Sequence, residues 1–383
     1  MHVTGYELYE VPPRWVFLKI ETSTGLIGWG EPVVEGYAKT TMAAVEELID
    51  NYLIGKDPLE IERHWQAMYR GRHFRGGPIL MSAISGIDQA LWDIKGKHYN
   101  APIYDLLGGR ARDRIKVYDW IGGETPSEIR SSAADAIENG YTILKMAAVS
   151  QMNWIDSPEV VEVARQRLAA VRDEVGPGVD IAVDFRGRVR KAMTKWLASE
   201  LDPYDPMLYE EPLLPEHFDM LAEVRNYTKT PLASGERLYS RWDFKQLLER
   251  DLVDVIQPDP SHAGGITETK KIANAAEAVD VGVALHCPLG PIAFATGIQL
   301  DTAIPNAFAQ AQYLEVHEPT DNDLLNYLRD PTVFGFENGY VTPLEEPGLG
   351  IEIDEEYVQE QSELQINWQT PIWYHEDGSV GEW

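Results

Sequence analysis

The chain of 383 residues has a single cysteine, Cys287, so no internal disulfide can form. That suits a reducing compartment, and we expect a cytoplasmic protein. Cys287 reads as a packed small side chain rather than a nucleophile. No apolar run approaches the roughly 18 residues needed to cross a bilayer, so no membrane span is expected. The opening Met1-His2-Val3-Thr4 lacks a basic segment followed by an apolar one, so no secretory leader is expected either. Positive charge is scarce: 33 Lys and Arg face 62 Asp and Glu, a net charge of −29. Such a surface repels nucleic acid and anionic lipid. The acids are spread along the whole chain rather than gathered in a block that would bind a basic partner. Spread acidity suits a protein kept soluble at high salt, where self-repulsion is screened.

The hydrophobic fraction, 44%, is enough for an ordinary globular core. Residues 1–115 read as an α+β unit. Val16 to Thr22 alternates like a strand, Gly25 to Gly30 punctuates a turn and a second strand, and helical periodicity follows over 38–50, 58–70 and 80–97. In the last of these, Ile84, Ile87, Leu91 and Ile94 share one face.

From Ile115 the pattern changes. Short apolar strands are expected at 115–121, 142–147, 180–185, 207–211, 231–235, 254–258, 282–286 and 307–312, with helices between them such as 158–174, 216–227 and 264–278. Eight strands alternating with helices predict an α/β fold, a parallel (β/α) barrel over 116–344. The Pro- and Trp-rich tail, 345–383, with Trp368, Trp373 and Trp383, is expected to pack back onto the first domain.

Chemistry in such barrels sits at the C-terminal ends of the strands. Strand three ends in Asp184, strand four in Glu210 and strand five in Glu236, evenly spaced at 26 residues. Three carboxylates facing one mouth would repel one another unless a cation sat among them. All-oxygen ligation favours Mg²⁺. Each acid alone could be a helix cap or a surface group; three in register are harder to read so. Strand six ends in Asp259 and strand seven in His286, where a carboxylate can orient an imidazole and raise its basicity. Lys145, ending strand two, could bind a substrate carboxylate or belong to the barrel wall, and His262 is a candidate to line the site.

These strings resemble a family. Pro12-Pro13-Arg14-Trp15, Gly28-Trp29-Gly30-Glu31-Pro32, Arg75-Gly76-Gly77-Pro78, the segment Gly86 to Gly96, Gly235-Glu236-Arg237, Ser261 to Glu268, His286 to Pro291 and Trp373 to Asp377 carry the resemblance nearly end to end. The chain resembles the mandelate racemase branch of the enolase superfamily, and within it the acid-sugar (aldonate) dehydratases. The resemblance implies a modified TIM-like (β/α)7β barrel with a capping first domain. It also implies one Mg²⁺ clamping the substrate carboxylate, α-proton abstraction through an enediolate, and a symmetric homo-oligomer. His286 with Asp259 maps onto the family's base.

Two positions depart from the family. The expected acid histidine two residues past the strand-three ligand is Arg186, and the strand-eight glutamate is Ala311. An arginine stays protonated and is a poor proton donor, though it can bind substrate. Three readings follow: a dehydratase of another acid sugar in which His286 serves as base and then as acid, an α-hydroxy acid epimerase, or a metal- and ligand-binding protein without turnover. The epimerase needs a second base, and the strand-two position that would offer one is Ala147.

The spread negative charge generates one prediction. The melting temperature should rise between about 0.1 and about 2 M KCl as repulsion among the acids is screened; a flat or falling curve would contradict it.

Overall fold

The computed structural model describes residues 1–319 and 323–382. The first unit opens with three antiparallel strands, β1 (Val3–Val11), β2 (Trp15–Thr22) and β3 (Ile27–Gly30). The helices α1 (Ala38–Leu48), α2 (Ile61–Arg70), α3 (Pro78–Tyr99) and α4 (Ile103–Leu106) follow, α1 running on into a π turn over Ile49–Leu53.

The helix α3 is buried beyond the one face that periodicity suggests. Ser82 to Leu91 are all buried, including Asp88 and Gln89. β3 lies directly against it: a Cβ on Gly30 would sit 1.9 Å from the Gly86 carbonyl oxygen, and one on Gly28 2.1 Å from that of Ala90. The two glycine-bearing strings of the sequence are thus opposite sides of one backbone contact. Buried polar groups of α3 bond backbone N–H groups of other segments. Asp93 accepts from Trp29 N at 3.0 Å and Leu349 N at 2.9 Å, and Gln89 from Glu31 N at 2.7 Å.

The second unit alternates strand and helix. In chain order it runs β4 (Ile115–Lys116), β5 (Asp119–Trp120), α5 (Pro126–Glu138), β6 (Ile143–Ala147), α6 (Pro158–Val175), β7 (Asp180–Asp184), α7 (Lys191–Leu201), β8 (Leu208–Glu210), α8 (Leu221–Val224), β9 (Leu232–Ser234), α9 (Arg241–Glu249), β10 (Val255–Ile256), α10 (Gly265–Glu277), β11 (Gly282–Leu285), α11 (Pro291–Ala303) and β12 (Ala307–Gln310). The strands β5 to β12 form one parallel sheet in sequence order, and a parallel bridge between Val117 and Gln310 joins its two ends into a barrel. All eight expected strands are present, most shorter than read from the sequence.

The helix expected at 216–227 is a correction. It is two 3₁₀ segments, Pro215–Met220 and Arg225–Tyr227, around the four-residue α8. His217, at φ −122° and ψ 17°, breaks the helical path after Pro215.

Two contacts of the first unit set its place over the barrel. Glu31, fully buried, accepts from Gly290 N at 2.7 Å and Ala293 N at 2.8 Å, at the N-terminus of α11. Asp88 accepts from Thr267 N at 3.0 Å in the first turn of α10. A carboxylate at a helix N-terminus meets unpaired N–H groups and the positive end of the dipole, an arrangement worth about 1 kcal/mol. Burial outweighs these bonds and pushes Glu31 up to about 8 and Asp88 to about 7. Gly265, at φ +78°, has no room for a side chain, since its Cβ would meet the Asp88 carboxylate at 2.4 Å.

The chain's last part spans both units. After β13 (Tyr340–Val341), which pairs with β4, the helix α12 (Glu355–Ser362) rests on the first sheet, where Glu355 meets Lys19 at 2.6 Å. Beyond it Trp368 faces Arg14 of the first unit, and the tail then crosses to the barrel's loops, where Trp373 faces Arg188 and Glu382 pairs with Arg190 at 2.9 Å. Trp383 lies outside the described residues. No helix among the described residues is long and apolar enough to cross a membrane.

Near the end of α11, Asp301 is 1% exposed and neither carboxylate oxygen has a hydrogen-bond partner among the described residues. Burial raises it to about 8. A carboxyl whose folded value exceeds its unfolded one holds its proton more tightly in the folded chain. Stability therefore falls as pH rises from the ordinary Asp value toward about 8. Asp301→Asn should stabilise the protein by about 1–3 kcal/mol at pH about 9 and change little at pH about 4, read from melting temperatures across pH. A loss of stability at both pH values would refute the assignment.

Candidate active site

The strand ends converge on a cleft of about 510 Å³. Its walls come from both units. Arg14 and Glu35 descend from the first; Trp120, Asp184, Arg186, Arg188, Glu236, Arg237, His286 and Tyr313 rise from the barrel. A depression of similar size lies between α5 and α6 on the outside of the barrel, lined by Pro126, Arg130 and Glu174, and gathers no strand-end residue.

Asp184 and Glu210 stand side by side in register on β7 and β8. Glu236 does not share their height. Its strand ends at Ser234, and the chain turns through Gly235 at φ +142° before reaching it. Equal spacing in sequence placed it at a strand end; the loop moves it outward. A carboxylate the sequence reading passed over holds that loop. Glu211, wholly buried, accepts from Gly235 N at 2.9 Å and from Arg237 Nη1 at 3.2 Å. The pair Glu210-Glu211 was visible, but two adjacent acids facing opposite ways at a strand end look in sequence like one.

Lys145 is also corrected. Rather than facing the mouth to take a substrate carboxylate, it is 1% exposed and lies beneath the acids. Its ammonium contacts Glu210 and stands 3.6 Å from Asp184. Burial alone would lower its pKa, but Glu210, Tyr118 and Asp184 outweigh that and raise it, so it is a fixed counter-charge. The other oxygen of Glu210 accepts from Gln257 Nε2 at 2.8 Å. Asp184 is nonetheless pushed up to about 7, by burial first and then by Glu210. One buried ammonium does not offset this concentration of negative charge.

His286 is bracketed by two acids. Its Nδ1 lies 3.0 Å from Asp259 Oδ2 and its Nε2 3.3 Å from Glu236 Oε2. Asp259 is itself held by Ser261 N at 2.8 Å. Burial would favour the neutral ring, but Glu236 and then Asp259 outweigh it and raise His286 to about 9. Burial also acts against the charge on Glu236, and His286 and Arg237 overcome it to hold that acid near 2.

Arg186 adopts a left-handed backbone, φ +53°, with its N–H donating to Asp184 Oδ1 at 2.7 Å. Its guanidinium lies over Trp120, 4.6 Å from the ring centre, with Nε 3.6 Å from Asp184. Arg188 is 5% exposed and lies over Trp373 at 4.2 Å. Burial and then Arg186 lower it to about 10.

His262 is a further correction. Its Nδ1 meets Ser82 of α3 at 2.8 Å, and it belongs to the contact between the units, not to the cleft wall. Ala311 is buried and brings no polar group. Its neighbours Gln310 and Gln312 bond Leu285 O and Asp119.

Among the described residues no three His, Cys, Asp or Glu side chains already converge as a metal centre. The donor set still fits a divalent cation. Asp184 and Glu210 at strand ends and Glu236 in the loop after β9 are hard oxygen donors, and burial first, then the charge of Glu210, disfavours the ionised form of Asp184, which added positive charge would favour.

Comparison with known proteins agrees with this architecture. Residues 12–108 match the mandelate racemase / muconate lactonizing enzyme N-terminal domain, and residues 128–357 the enolase C-terminal domain-like family. The chain is 48% identical over 383 residues to D-galactonate dehydratases of Cronobacter sakazakii and Ralstonia pickettii, covering 100% of each. Among solved structures it is 31% identical to an enolase from Agrobacterium radiobacter with bound sodium and L-malate, at a TM-score of 0.90 and full coverage of both chains. It is also 31% identical to an enolase superfamily member from Salmonella Typhimurium, at a TM-score of 0.86, covering 94% of this chain and 97% of that one.

Proposed function

The chain belongs to the mandelate racemase and muconate lactonizing enzyme branch of the enolase superfamily, and on that premise we propose that it is a Mg²⁺-dependent acid-sugar dehydratase with His286 as its base. The observation that carries this reading is the bracketing of His286 by Asp259 and Glu236 on the wall of the cleft that Asp184 also lines. The relatives named D-galactonate dehydratase support the reaction class.

Asp184, Glu210 and Glu236 would hold the cation. When bound, Mg²⁺ supplies positive charge against the substrate carboxylate and against the charge that gathers there as the α-proton leaves. Asp259 accepts from Nδ1 of His286, and Nε2, which Glu236 holds protonated in this structure, would become the basic nitrogen once Glu236 serves the cation instead. His286 removes the proton from C2. The C3–O bond breaks, a C2=C3 double bond forms, and the imidazolium returns its proton to the departing hydroxide, which leaves as water. The enol then tautomerises to the 2-keto-3-deoxy acid. One residue performing both transfers requires the C2 hydrogen and the C3 hydroxyl on the same side. Arg186, where the family resemblance expects a histidine acid, donates hydrogen bonds without giving up its proton. Ala147, at the end of β6, offers no second base, which speaks against epimerisation.

With Mg²⁺ and its acid sugar in D₂O, the protein should exchange the α-proton and form a product that reacts with semicarbazide. His286→Asn should lose exchange by about 10²-fold or more. If wild type shows neither reaction across a panel of aldonates and aldarates, the dehydratase reading fails.

The metal assignment has its own test. Mg²⁺ should raise the melting temperature of wild type, and Glu236→Gln should reduce that rise. An unchanged rise would remove Glu236 from the ligand set.

A further inference from the structure

The cleft contains one arginine, Arg188, with no carboxylate partner among the described residues, and a second, Arg186, whose partner is the proposed metal ligand Asp184. In a chain with 62 acidic residues against 33 basic ones, a cation without a carboxylate partner stands out. The other arginines of the cleft are matched: Arg14 pairs with Glu35, and Arg237 with Glu211 at 3.2 Å. Arg188 has no carboxylate within 4 Å among the described residues, although it is 5% exposed. Its hydrogen bond from Nη1 to Ser150 O is 3.2 Å long, and its Nε has no hydrogen-bond partner among the described residues.

The buried Arg167 and the half-buried Arg172 differ. Arg167 bonds the carbonyls of Gly123, Ala147 and Ala148, and Arg172 bonds those of Gly176, Val179, Tyr204 and Asp205; neither lines the cleft. A guanidinium has five N–H donors, so Arg188 is far from satisfied. Among the described residues the carboxylate that meets Arg186 is Asp184, at 3.6 Å from Nε, and Asp184 belongs to the proposed metal ligands.

The two guanidiniums are held in the same way. Arg186 lies over Trp120 and Arg188 over Trp373. An aromatic ring engages the face of a guanidinium and leaves its edge, with the N–H donors, free for a planar oxyanion. Trp120 comes from a barrel strand and Trp373 from the C-terminal tail, so two separate parts of the chain build one receptor.

We propose that Arg186 and Arg188 form a subsite for a second carboxylate, and that the substrate is therefore a diacid sugar, an aldarate, rather than an aldonate. This rests on the acid-sugar reading above and extends it to the far end of the substrate. One carboxylate goes to the cation end of the cleft and the other to the arginine pair. The replacement of the expected histidine by Arg186 then has a physical purpose: a titratable acid gives way to a permanent cation that selects substrate. A terminal hydroxymethyl group cannot replace a carboxylate here, because it leaves the guanidinium charge uncompensated.

The test is a binding measurement on the full chain with Mg²⁺, by calorimetry, so that it does not depend on turnover. Aldarates and aldonates of matched configuration are compared, for example galactarate with galactonate and glucarate with gluconate. For at least one configuration the aldarate should bind about tenfold or more tightly than its aldonate. Arg188→Gln and Arg186→Gln should each bring that ratio toward one. Arg186 is the more exposed of the two, so its variant carries the test if the Arg188 variant does not fold. Equal affinities for diacid and monoacid in wild type, or variants that lower both in the same proportion, would overturn the subsite. Selective aldarate binding without α-proton exchange would keep the subsite and refute the dehydratase reading.

Discussion

The first unit is pinned to the barrel by its own buried carboxylates, and the geometry of the cleft depends on that attachment. Glu31 closes the N-terminus of α11 and Asp88 that of α10. Those helices follow directly on the strands that end in His286 and Asp259. A carboxyl that accepts from the free N–H groups of a helix end fixes the helix, the loop before it and the residue at the strand end. Trp65, Ser85 and Trp92 add bonds to Gly264 and Thr267 along the same seam. The raised values of Glu31 and Asp88 show that the attachment costs desolvation as well as providing bonds. Its return is position: the same docking brings Arg14 and Glu35 to the rim of the cleft.

Within the cleft, electrostatics is organised in depth. Lys145 lies at the bottom, wholly buried, as a permanent counter-ion to Glu210 and Asp184. Above it the carboxylates of β7, β8 and the loop after β9 form a negative layer. The outer wall carries arginines supported on aromatic rings. A ligand with a carboxylate needs this order, negative donors deep for a cation and positive groups at the wall for the anion. The tail contributes through Trp368 and Trp373, each facing an arginine of the cleft, so it belongs to the site as much as to the first unit.

The two departures from the family pattern are consistent with each other. Arg186 and Ala311 remove a proton donor and a carboxylate from the cleft, and each change makes it more positive. In the proposed reaction, abstraction of a proton by His286 would require neither group. What changes is the source of the proton for the leaving hydroxide and the charge of the ligand best accommodated.

Much of this was legible in the chain itself. Alternation of short apolar strands with helices determined the eight-stranded barrel, because each strand must be buried and each connection must be long enough to return. The spacing of Asp184, Glu210 and Glu236 located one end of that barrel, and Asp259 with His286 followed on the next two strands. Other features were decided only by the tertiary structure. Lys145 ends a strand like the rest, yet its side chain turns beneath the acids because their charge draws it there. His262 sits in a site-like string but faces Ser82, since the first unit docks on that loop. The burial of Glu31, Asp88 and Glu211, and the two arginines laid on tryptophans distant in sequence, depend on contacts between segments far apart in the chain. Periodicity reports which face of an element is apolar; it does not report which other segment will supply the charge, the hydrogen bond or the ring that meets it.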